Sequence, residues 1–144
     1  MAGFSDTTET AILALIFNAT TWAGYARDVA SPETNIACAL HTADPGDDGT
    51  MATNEIDYSG YARLVGPART SDGFTVSGGS VSPAANINFG VGTADTPRAA
   101  RHASLGKSGG GAAPILMSGV ITPPIQCGLG VTPTMSIGST FTLD

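Results

Sequence analysis

From residue 35 onward the chain is cut into short apolar stretches, and Gly, Pro, Asn or Asp closes most of them. That punctuation limits the fold more than any other feature, because helices of ordinary length need longer uninterrupted periodicity. Ile36, Cys38 and Leu40 alternate with Ala37, Ala39 and His41, the period of a half-buried strand. Further strands are predicted at Tyr61–Val65, Phe74–Ser77, Ser80–Ser82, Ile87–Phe89, Arg101–Leu105, Ile115–Val120, Met135–Ile137 and Thr140–Leu143. About eight short strands separated by turn chemistry predict a mainly β fold, an antiparallel β-sandwich or jelly roll.

The N-terminal segment is different. Ser5 and Asp6 are alternative N-caps, and Asp6 with Glu9 three residues later approximates a capping box, which predicts a helix over residues 5–18. The run Ala11–Phe17 is apolar on every side, so one packed face would leave a second to be covered. Ile12, Leu13, Ile16 and Phe17 are therefore candidates for contact with a neighbouring subunit. At seven residues this run is far short of the roughly 20 that a spanning helix needs. Asp6 and Glu9 precede it with no Lys or Arg, unlike a secretory leader, so synthesis in the cytoplasm is expected. With 144 residues, no repeat and no linker-like stretch, a single domain over 1–144 is expected, its sandwich occupying 35–144.

Charge is scarce. Only 12% of residues are Asp, Glu, Lys or Arg, against roughly 25% in an ordinary soluble domain. The net charge of −6 is also uneven: nine of the 12 acids lie in residues 1–60, where Arg27 is the only base. Arg98, Arg101 and Lys107 supply most of the later positive charge and are candidate subunit contacts, since complementary patches set register between partners. Six bases in all are too few for phosphate-backbone binding, and no direct nucleic-acid partner is expected.

Motifs for chemistry are sparse. Gly106-Lys107-Ser108 imitates the end of a phosphate-binding loop, but Arg101 stands where its first glycine is required. Asp44, Asp48 and Glu55 fall at positions 1, 5 and 12 of a calcium loop with Gly49 at the turn, yet Gly46 at position 3 offers no side-chain oxygen. An acidic surface turn is the first reading of that loop. Cys38 and His41 point to opposite faces of one strand, and Cys127 could reach His102 only through the fold. Both cysteines read as small buried hydrophobes. With no nucleophile elbow and no metal-ligand spacing, neither enzymatic activity nor a cofactor is expected.

Several segments together resemble a known family. They are His41-Thr42-Ala43-Asp44-Pro45-Gly46, Tyr58-Ser59-Gly60-Tyr61-Ala62-Arg63, Gly79-Ser80-Val81-Ser82, Ile87-Asn88-Phe89, Ile115-Leu116-Met117-Ser118-Gly119 and the closing Thr140-Phe141-Thr142-Leu143-Asp144. In these the chain is similar to small structural proteins of tailed-bacteriophage virions, commonly labelled tail fibre proteins. The resemblance covers roughly residues 35–144 and departs from the pattern at Gly106–Pro114 and Cys127–Pro133. It implies a β-sandwich component of the virion, without catalytic residues, held by other virion proteins and by copies of itself. Because no extended shaft is present, capsid decoration is the leading expectation, with the major capsid protein as partner. A tail, neck or fibre-attached component is the alternative, and a host-surface-binding module the third. Scarce charge fits a subunit that exposes only part of its surface, and the acidic set around Asp44–Asp48 is expected to face solvent or a basic neighbour.

Overall fold

A computed structural model describes residues 5–22 and 32–143. The fold is mainly β, with antiparallel sheets and one helix near the N-terminus, in keeping with a β-sandwich. Helix α1 spans Asp6–Asn18. Ser5 is its N-cap, in extended backbone conformation, and its hydroxyl accepts from the Thr8 N–H at 3.4 Å. Ala19 closes it in the left-handed region at φ 52°, and the next N–H, of Thr20, donates to the Ala14 carbonyl at 3.1 Å. An alanine there carries a Cβ cost that glycine would avoid.

Among the described residues nine strands follow: β1 Asn35–His41, β2 Leu64–Ala68, β3 Phe74–Ser77, β4 Ser80–Pro83, β5 Ile87–Asn88, β6 Arg98–Lys107, β7 Ile115–Cys127, β8 Thr134–Met135 and β9 Phe141–Thr142. They form a four-stranded sheet in the order β2-β1-β6-β7, a three-stranded sheet β3-β4-β9 and a two-stranded ladder β5-β8. The second strand lies later than the predicted Tyr61–Val65, because Tyr61 is drawn into an aromatic cluster. Two strands are longer than predicted, since β6 and β7 pair along most of their length.

The contacts divide the chain into two compact units. One takes residues up to Asn35 with Pro67–Ile87 and the residues from Met135 on; the other takes Ile36–Gly66 and Asn88–Thr134. In the first, α1 lies on β3 and β4. Leu13 and Phe17, one turn apart, are 1% and 0% exposed, and Phe17 meets Phe74 edge-on with ring centroids 5.3 Å apart. Burying each such side chain is worth about 1.5–3 kcal/mol. Leu13 and Phe17 are therefore core residues of this chain, which corrects their expected role in subunit contact. Ile12 and Ile16 stay half-buried and remain open to a neighbour.

In the second unit β1 runs antiparallel to β6, from Ile36 opposite Lys107 to His41 opposite His102. The expected half-buried alternation does not hold, because every residue from Ile36 to His41 is buried. Ala37 and Ala39 lie beneath Met51, with Ala113 and Ile115 beside them, so the face predicted to be open is roofed by the chain. Gly106 is part of β6. A Cβ there would collide with the Met51 sulfur and the Pro114 carbonyl, so glycine lets that roof come down.

Candidate functional site

The residues bearing polar chemistry gather in the second unit around Glu55. Its carboxylate receives two hydrogen bonds from Arg63, Nε to Oε1 at 3.0 Å and Nη2 to Oε2 at 2.7 Å. Tyr61 Oη donates to the same Oε1 at 2.9 Å and accepts from the Leu40 N–H at 3.2 Å. Arg63 also donates to the carbonyls of Gly109 at 3.1 Å and Gly111 at 3.0 Å. Parallel N–H donors suit a planar guanidinium, and hydrogen bonding to Glu55 raises the Arg63 pKa further. The glycine-rich segment that follows β6 is thus tied to Arg63.

Glu55, Tyr58, Tyr61, Arg63 and Gly109–Gly111 line an open cleft of about 740 Å³. Tyr58 and Tyr61 are ring neighbours at 5.4 Å, and Tyr61 stacks on Phe89 at 6.2 Å. Tyr58 is only 3% exposed and its hydroxyl donates to the Gly90 carbonyl at 2.6 Å. Burial pushes its phenol up to about 12 and the Tyr61 phenol upward as well. These rings support one another and do not form an exposed aromatic platform.

The calcium candidate separates. Glu55 is committed to Arg63 and Tyr61, while Asp44 Oδ1 accepts from the Gly46 N–H at 2.9 Å as a turn cap. Among the described residues no three His, Cys, Asp or Glu side chains come together as a metal site. Asp44, Asp47 and Asp48 are all exposed in this chain, where the acidic set was expected.

Arg98, Arg101 and Lys107, the candidate subunit contacts, stand on β6 with exposed side chains. Arg98 Nε pairs with Asp57 Oδ1 at 2.8 Å on the open surface, where such a pair contributes little. Arg98 and Lys107 sit at opposite ends of the strand, about 30 Å apart at the strand rise, so the three do not make one patch.

His41 is wholly buried and held at both nitrogens. Nδ1 lies 2.8 Å from the Thr53 carbonyl, which can only accept, so Nδ1 carries the proton. Nε2 then accepts from the Ser104 hydroxyl at 2.7 Å. Burial lowers the His41 pKa; the Thr53 carbonyl and Glu55 oppose that shift, and Arg63 and His102 add to it. A base whose folded pKa lies below its ordinary 6.5 contributes stability that is complete above that value and lost as pH falls through it. Melting temperature is therefore expected to drop on acidification from pH 8 toward pH 5, and His41→Asn should flatten that slope. Equal slopes for the two proteins would show that His41 does not carry it.

The thiols are similarly withdrawn. Cys38 and Cys127 are free and buried, and burial pushes Cys38 up to about 12 and Cys127 upward. Cys127 faces Arg98 in the β6-β7 ladder, whereas His102 faces Val120, so strand register keeps the two apart.

Two arrangements escaped the residue pattern. The Glu55–Arg63 pair left only the shared face of Tyr61 and Arg63 as a signal, and Arg69 left none. Arg69 Nη2 donates to the Leu15 carbonyl at 2.6 Å and Nε to that of Ile16, capping the end of α1. The last turn of that helix has no basic residue of its own.

A family model described as Podophage GP4 fiber I protein gp80 matches residues 3–140. No curated protein matches the chain. With nearly the whole length covered, the chain belongs to the Podophage GP4 fiber I protein gp80 family and is a structural protein of the phage virion.

Proposed function

We propose that this chain is a non-enzymatic component of the tail or its fibres, docked on other virion proteins through its charge-poor surfaces. The family match over residues 3–140 carries the reading. It favours the tail location over the capsid decoration that the missing shaft had suggested. The non-enzymatic part is supported by the use of the reactive groups: His41 is caged, both thiols are buried, and Glu55 and Arg63 neutralise each other.

Copy number tests the location. Quantitative mass spectrometry of purified virions, normalised to the major capsid protein, should give on the order of a dozen copies per particle, as tail symmetry implies. Immunogold label should sit at the tail vertex. On the order of hundreds of copies, with label over the whole shell, would return the protein to the capsid.

A further inference from the structure

We propose that His41, Ser104 and Met51 form a proton switch under the roof of β1: when His41 takes up a proton, the Ser104 hydroxyl turns from His41 to the Met51 sulfur, and the second unit stays closed.

One face of the β1-β6 ladder builds the switch. Ala37, Ala39 and His41 alternate along β1, and their partners on β6 are Gly106, Ser104 and His102. Two alanines, a serine and a glycine leave a pit on this face, and Met51 fills it, packed on Ala37 and Ala39 with its sulfur where a Cβ at Gly106 would stand. Met51, His41 and Ser104 are all 0% exposed, so their polar atoms must satisfy one another. Nδ1 of His41 commits its proton to the Thr53 carbonyl, which leaves Nε2 to meet Ser104.

The hydroxyl has two partners and one proton. Ser104 Oγ lies 2.7 Å from His41 Nε2 and 3.3 Å from the Met51 sulfur, and it can donate to only one of them at a time. With His41 neutral, Nε2 is an acceptor and takes that hydrogen bond. With His41 charged, Nε2 is itself a donor and gives its proton to a lone pair of Oγ, so the hydroxyl must aim elsewhere. The sulfur is the acceptor already within reach. Only the hydroxyl rotates: one proton is gained from solvent, no covalent bond to a heavy atom breaks, and no buried donor is orphaned. A leucine could roof Ala37 and Ala39 as well as methionine does, but it would accept nothing.

The surrounding groups bias the exchange. Burial opposes the charged form of His41 most; the Thr53 carbonyl and Glu55 favour it, and Arg63 and His102 oppose it. Tyr61, which accepts from the neighbouring Leu40 N–H, and Cys38 on the same strand are both pushed up by burial and stay uncharged. Met51 also donates its N–H to the Ala113 carbonyl at 2.9 Å and packs beside Ala113 and Ile115, so the switch bears on the connection between β6 and β7.

Nuclear magnetic resonance of the full chain, with isotope-labelled histidine and methionine methyl groups, tests the switch from neutral pH down to acid unfolding. His41 Nε2 should change from acceptor to N–H donor while the amide spectrum stays that of the folded chain, and the Met51 methyl should shift with the same midpoint. Met51→Leu, a volume-conserving swap, should lower the proton affinity of His41 about fivefold and leave its neutral tautomer unchanged. Ser104→Ala should abolish the response of the Met51 methyl, and His102→Gln should leave it in place. A Met51 methyl that stays constant or follows His102, an unchanged His41 midpoint in folded Met51→Leu, or unfolding before His41 titrates would overturn the proposal.

Discussion

Phe17→Ala is expected to destabilise the fold by about 3–5 kcal/mol, because it removes a fully buried ring and leaves a cavity between α1 and β3. Melting temperature should fall by roughly 10–20 °C for a chain of this length. The result separates two roles that the apolar helix could have had. A residue reserved for a neighbouring subunit would leave the melting of the free chain nearly unchanged and weaken assembly alone. Phe17 instead meets Phe74, so its loss acts on the isolated protein. A shift smaller than about 2 °C would mean that the helix does not pack as described. Ile12→Ser provides the contrast, since that side chain is only half-buried and should cost markedly less.

Arg63→Ala is expected to cost about 2–3 kcal/mol, less than the 3–5 kcal/mol typical of breaking a fully buried pair, because both side chains retain some exposure. The variant leaves the Glu55 carboxylate without its cation and releases the carbonyls of Gly109 and Gly111. A second readout follows from that release: trypsin should cut after Lys107 faster than in the parent protein. Arg63→Lys should recover little of either effect, since an ammonium cannot bridge both carboxylate oxygens and reach two carbonyls. If denaturant midpoints of Arg63→Ala and the parent protein coincide and cleavage rates are equal, the Glu55 cluster is not a structural tie.

The two variants also show where residue patterns stop being informative. The helix ending at Asn18 and the strand at Phe74–Ser77 follow from neighbours a few positions away and were readable directly, whereas the choice of Ser5 over Asp6 as the cap was left to the structure. Spacing along the chain offered Glu55 only as the last position of an imperfect calcium loop, second to an acidic surface turn, and gave no sign of its partners. In the fold its partner Arg63 is eight residues on and reaches a glycine segment more than 40 residues further still. Arg69 caps a helix that ended about 50 residues earlier, which no local pattern encodes. The segments that resemble phage virion proteins pointed to the same kind of family as the match over residues 3–140.

Residue order and composition were therefore enough for the class and its scale: one apolar helix, many short strands, little charge, and a structural protein of the virion. Those properties depend on local conformational preference and composition, which each segment carries with it. Long-range packing settled which apolar residues became core, that β1 would be buried on both faces, that Glu55 would meet Arg63, and that β7 would be left at an edge. Each of these is set by which distant segments come together, and the same alternating strand is half-buried or wholly buried according to what the rest of the chain lays over it.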